Sequence, residues 1–139
     1  MAKHRELLLG FGVRISPPRG MTPADEFFAQ WALELHLCER GLQADGGPLA
    51  AVIRSGDRSL TAVDQVDLVT WLFFEVGVPT VALGPLCSDG GPPEGDGPAL
   101  RVSRADPALA PLAVLYREHR IDAAQFLDVL GGYMRPSIH

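Results

Sequence analysis

The chain has 139 residues, 47% of them hydrophobic and 21% charged, with a net charge of −5. That length supports one domain around one core, and the composition excludes wholesale disorder. Two cysteines are too few for a disulfide framework, and no apolar run reaches the ~18 residues a membrane span needs.

The first residues lack the pattern of a secretory leader, so a cytoplasmic protein with no membrane contact is expected. Charge is uneven along the chain. Lys3, Arg5, Arg14 and Arg19 against Glu6 give residues 1–20 a net +3 and leave −8 on the rest. Bulk attraction to nucleic acid is not expected, yet this basic edge has the chemistry to meet phosphate. The plain alternative is a solvated edge.

Leu7, Leu9, Phe11, Val13 and Ile15 alternate with Leu8, Gly10, Gly12 and Arg14. This period of two predicts a strand from Glu6 to Ile15, ended by Pro17 and Pro18. Thr22 as N-cap, Pro23 at the first helical position, and Asp25 and Glu26 in the first turn predict a helix running to Gly41. Ala24, Phe27, Phe28, Trp31, Leu35 and Cys38 recur at helical spacing and form the expected buried stripe. Leu33 and Leu37 point away from it, beside Glu26 and Gln30. They are either covered by a neighbouring strand or mark an interface.

Asp45-Gly46-Gly47-Pro48 reads as a turn, Leu49 to Arg54 as a second strand, and Gly56-Asp57 as another turn. Thr61 followed by Asp64 has the form of a capping box and opens a second helix, which Gly77 closes. Its apolar face is Val63, Val66, Val69, Leu72, Phe73 and Phe74. Asp64, Asp67 and Glu75 share the other side, with Trp71 between them as a contact residue or as a ring folded over a neighbouring element. Val78 to Leu83 predicts a third strand. From Gly84 to Pro98, nine of fifteen residues are glycine or proline. This reads as a flexible loop and not a domain linker, because too few residues follow for a second core. Leu100 and Val102 suggest a fourth strand. Asp106-Pro107 opens a helix carrying Leu109, Leu112, Ala113 and Tyr116. Asp122 with Gln125 caps the last helix, which carries Phe126, Leu127 and Leu130. The order predicts an α+β fold, a small sheet with helices packed on it, as a single domain over residues 1–139.

No catalytic constellation emerges. There is no C-x-x-C or H-x-x-x-H pair, and His36 and Cys38 diverge by about 160° on their helix, so neither a metal nor another cofactor is expected. Gly90-Gly91-Pro92-Pro93-Glu94-Gly95 lacks the lysine and hydroxyl of a phosphate-binding loop. Gly10 and Gly12 lie within a strand and open no helix, which defeats a dinucleotide fingerprint. Asp64 and Asp67, three apart on one helix face, suit a general acid/base pair only if a pocket exists, and otherwise read as a solvated acidic face. Only Phe11 offers a ring on the strands for base stacking. Cys87, next to Ser88 and Asp89, is a nucleophile only if a histidine such as His119 lies beside it.

Several short segments, taken in order, resemble one family. Leu9-Gly10-Phe11-Gly12-Val13 is similar to the first strand of the YggL family, small bacterial proteins that associate with the large ribosomal subunit. Leu35 to Leu42 followed by Asp45-Gly46-Gly47 resembles that family's acidic first helix and glycine turn. Gly56 with Leu60-Thr61-Ala62-Val63-Asp64, then Trp71-Leu72, resembles its second helix, and Gln125-Phe126-Leu127-Asp128-Val129 its closing segment. The similarity covers mainly residues 7–72. It implies a non-enzymatic binding protein of the large ribosomal subunit or translation machinery, meeting rRNA or a ribosomal protein. Lys3, Arg5, Arg14 and Arg19 are then the candidate phosphate contacts. One alternative is a protein-interaction or homo-oligomeric module using Leu33, Leu37 and Trp71. A second is a small enzyme centred on Cys87.

Overall fold

The computed structural model describes residues 8–16, 20, 22–46, 50–88 and 100–131. The alternating segment forms β1 (Leu9–Ser16), with Phe11, Val13 and Ile15 buried and Arg14 and Ser16 exposed. Residues 6 and 7, where the strand was expected to start, lie outside the described residues. Helix α1 (Pro23–Glu39) opens on a full capping box. The Asp25 N–H donates to Thr22 Oγ1 at 3.1 Å, and the Thr22 N–H donates to Asp25 Oδ2 at 3.0 Å.

The chain then departs from expectation. Gln43–Gly46, half of it read as a turn, is a strand, β2, which pairs antiparallel with β3 (Ala50–Arg54). Gly46 makes the hairpin possible. It holds φ +138°, and a Cβ there would lie 2.5 Å from the Ala50 carbonyl oxygen. Helix α2 (Ala62–Trp71) starts on the second capping box, the Thr61 N–H donating to Asp64 Oδ2 at 2.8 Å. It continues as a wider π turn through Leu72–Val76, which ends on Gly77 in the left-handed region at φ +83°. Strand β4 (Thr80–Leu83) follows. Within the expected loop, Cys87–Ser88 form a two-residue strand, β5, paired with Leu9 and Gly10. Residues 89–99 lie outside the described residues. The chain ends in β6 (Leu100–Ser103), α3 (Leu109–Arg117) and α4 (Ala123–Gly131). The α4 cap is reciprocal: the Asp122 N–H donates to Gln125 Oε1 and the Gln125 N–H to Asp122 Oδ1, at 2.9 and 2.8 Å.

The sheet runs β2-β3-β1-β4-β6, with β5 beside one end of β1, and every pair is antiparallel. Both β1-α1-β2 and β3-α2-β4 are therefore split β-α-β units, each with a strand of the other inserted. This is the ferredoxin-like topology, and the α+β reading of the sequence holds. Register sets the faces. Phe11, Ile53, Val81, Leu83, Leu100 and Val102 share the inner face and meet Leu33 and Leu37 of α1, Val66, Leu68, Val69 and Leu72 of α2, and Phe126 and Leu127 of α4. Side chains of this size contribute about 1.5–3 kcal/mol each on burial, which makes this one layer interface the main source of stability.

The expected face of α1 is inverted. Leu33 and Leu37 are 4% and 1% exposed, whereas Phe27, Phe28, Trp31 and Leu35 are 68%, 61%, 56% and 45% exposed. On α2 and its π turn, Val63 and Phe74 are likewise exposed, while Asp64 of the expected acidic face is buried.

Candidate binding surfaces

Among the described residues, the outer face of the sheet carries no helix. It presents Gly10, Gly12 and Arg14 from β1, Ala50, Val52 and Arg54 from β3, and Thr80, Ala82, Arg101 and Ser103 from β4 and β6. Arg14, Ala82 and Arg101 occupy one row. Two strand spacings put the arginine Cα atoms about 10 Å apart. Both side chains are exposed, and neither makes an ion pair or hydrogen bond among the described residues. Arg54 is on the same face but pairs with Asp45. Of the four cations singled out from the sequence, Arg14 is therefore an exposed guanidinium on the central strand, without a partner among the described residues. Lys3, Arg5 and Arg19 lie outside the described residues. Phe11 is fully buried on the opposite face and offers no stacking ring.

The second surface is the outward face of α1. Leu33 and Leu37 are buried in the core and cannot form a surface in the folded chain, which corrects their reading as an interface. Trp71 is half-buried and stacks on His36 of α1, with ring centroids 4.3 Å apart and planes 15° from parallel. It is the ring folded over a neighbouring element. Burial lowers the His36 pKa, as does nearby Arg40, while Glu39 opposes the shift, and His36 Nε2 is buried without a partner. One turn further on, Arg40 bonds Asp67 of α2 at 3.1 Å. Stack and ion pair together fix the rotation of α1 about its axis. They turn Phe27, Phe28, Trp31 and Leu35 outward.

The acidic side of α2 divides in two. Burial pushes the Asp64 carboxyl up, but bonds from both Arg58 guanidinium nitrogens at 2.8 and 3.0 Å, the Thr61 N–H and the Arg58 charge hold it below the ordinary value. Asp67 moves the other way. Its burial outweighs Arg40, and the Asp64 charge adds to the rise. Asp67 lines a cleft of about 640 Å³ between α2 and the α3–α4 turn, with Val63, Tyr116, His119, Arg120 and Gln125. The carboxylate is paired there with Arg40 at 3.1 Å.

Cys87 is half-buried in β5, and burial pushes its thiol up, away from the thiolate that nucleophilic chemistry needs. Among the described residues no three histidine, cysteine, aspartate or glutamate side chains converge as metal ligands, and no helix is long and apolar enough to cross a membrane. No family model, curated protein or solved structure matches the chain.

Arg101 and the α1 aromatics were missed as surface residues. Arg101 was legible from its place between Leu100 and Val102, because alternation puts it on the face opposite them. The outward aromatics had no such signal. A helix apolar on two opposite sides does not reveal which one the core takes.

Proposed function

We propose that this chain is a non-enzymatic binding protein that associates with the large ribosomal subunit or the translation machinery, using the outer face of its sheet to meet phosphate. The resemblance over residues 7–72 supports the reading. The observation that carries it is the exposed row of Arg14 and Arg101, two guanidinium groups with no ion pair among the described residues, on a face no described helix covers. Such groups contact phosphate without reading sequence, so binding follows backbone shape and weakens as salt rises. Absent stacking rings, selectivity comes from the shape of the partner and not from its bases.

Sedimentation of the tagged protein from lysate on sucrose gradients tests this. Cofractionation with the large subunit is expected, weaker at moderate than at low salt. Replacing Arg14 and Arg101 by alanine should release it and flatten the salt dependence, by roughly 0.7–0.9 in log–log slope per lost contact. Unchanged cofractionation of the double variant removes the sheet face from the reading, and a wild-type chain that stays at the top of both gradients removes the ribosome.

A second reading, a protein-interaction or homo-oligomeric module without nucleic acid, is favoured by the exposed aromatic face of α1.

A further inference from the structure

We propose that the outward face of α1 is a docking surface for a basic protein segment, one that presents an apolar stripe rimmed by lysine or arginine. The proposal rests on the protein-interaction reading and is independent of the sheet face.

At 100° per residue, Phe27, Cys38, Trp31, Ala24, Leu35 and Phe28 fall within a band of about 100°, directly opposite Leu33 and Leu37. The four large side chains are 45–68% exposed, which leaves roughly 450 Å² of apolar side-chain surface in water if each aromatic ring contributes ~150–250 Å². A contiguous patch of that size on one helix is the kind that marks an interaction site. Aromatic residues of this type also supply most of the energy at interfaces, and Trp31 stands at the midpoint of the helix. The surface is built in advance. The capping box fixes its start, and the His36–Trp71 stack and the Arg40–Asp67 pair fix its rotation, so docking need not order the helix first.

Charge selects the occupant. Helix α1 carries Asp25, Glu26, Glu34 and Glu39 and no lysine or arginine, so −4 of the chain's net −5 lies on this one element. On the wheel Glu34 borders one side of the stripe, and Glu39 and Asp25 border the other. A second copy packed antiparallel about Trp31 would bring Asp25 of one chain within about 3 Å, along the axis, of Glu39 of its partner, because each residue rises 1.5 Å. Like charges so placed disfavour that pairing, and RNA meets the same negative rim. A segment with apolar residues at i, i+3, i+4 and i+7 and a cationic rim satisfies both the stripe and its border.

Two synthetic helical peptides with one leucine stripe, rimmed by lysines in one and by glutamates in the other, provide the probe. Trp31 emission is read in Trp71→Phe, and calorimetry on the unaltered chain repeats the titration. The lysine-rimmed peptide should shift Trp31 emission to the blue and bind about tenfold or more tightly than the other, with affinity falling as salt rises. Trp31→Ser and Phe28→Ser should abolish binding and leave the urea midpoint unchanged. Equal binding of both peptides overturns the basic partner but leaves a protein-binding face. A dimer in sedimentation equilibrium that Trp31→Ser dissociates makes a second copy the occupant. A Trp31 shift on adding an RNA oligonucleotide makes it nucleic acid. Binding of neither peptide removes the docking surface and, with it, the protein-interaction reading, while the behaviour of Arg14→Ala/Arg101→Ala on gradients is unaffected.

Discussion

Helices α1 and α2 open in the same way and end in different surroundings. Each begins on a threonine whose capping box is closed by an aspartate three residues on. Yet α2 buries even Asp64 and Gln65, whereas α1 buries only Leu33 and Leu37 and leaves three aromatic rings in water. The difference is one of position. Helix α2 is flanked by α1, through the Trp71 stack and the Asp67 pair, and by α4 on its other side. Helix α1 lies over β2 at the sheet edge, and among the described residues its helical neighbour is α2, on one flank. Local signals start a helix; its neighbours decide how much of it is covered.

The sharpest test of that contrast is on α1 itself. Leu37→Ala should cost about 3 kcal/mol, because it deletes a side chain that is 1% exposed and leaves a cavity among packed neighbours. Phe28→Ala, on the opposite side of the helix, should change stability by less than about 0.5 kcal/mol. Urea denaturation of both variants measures this. A larger loss from Phe28→Ala than from Leu37→Ala would mean that the aromatic face, and not the leucine face, is the one packed on the sheet.

The two capping boxes give the next largest effect. Asp64 closes its box while buried and doubly bonded to Arg58. Replacing it by alanine removes the cap and the ion pair together, at a cost of about 2 kcal/mol. Asp25 closes its own box in full contact with solvent, and Asp25→Ala should produce a clearly smaller loss. Equal losses in thermal unfolding would break the claim that burial separates the two helices.

Much of the fold was legible in the residues. Alternation located β1, the apolar segments at Val78 to Leu83 and at Leu100 and Val102 located β4 and β6, and the pairs Thr61–Asp64 and Asp122–Gln125 located helix starts that the hydrogen bonds confirm. What failed did so for physical reasons. Gln43–Gly46 holds one alanine, a glycine and two polar residues, because β2 is an edge strand with little to bury. Cys87–Ser88 became a strand because β1 offered a free length of backbone at Leu9 and Gly10, a tertiary fact absent from the local pattern. The candidate surfaces were legible only in part. Arg14 was visible from strand alternation, whereas the exposure of Trp31 depends on which face of α1 packs on the core.

The smallest expected effect concerns the contact that joins the two helices. His36 is stacked on Trp71, and burial first, then Arg40, lowers its pKa from the ordinary 6.5. The unfolded chain therefore takes up this proton at a higher pH than the folded chain does. In the window below 6.5 the unfolded state binds more protons, so stability falls as pH falls; below the folded value both states are protonated and the slope vanishes. Asp64, whose pKa is lowered from 3.8, contributes stability that is present above that value and lost as pH falls through its folded value. Asp67, raised from 3.8, opposes it by favouring the fold at low pH and losing that contribution as pH rises. His36→Gln separates the histidine from both carboxylates. Urea midpoints between neutral pH and the carboxylate range should fall less steeply in this variant than in the unaltered chain. Identical slopes would mean that His36 titrates alike in both states and that the stack does not exclude its charge. The rotation of α1 would then rest on the Arg40–Asp67 pair and the leucine face alone, and Arg40→Met should then loosen the aromatic stripe more than His36→Gln does.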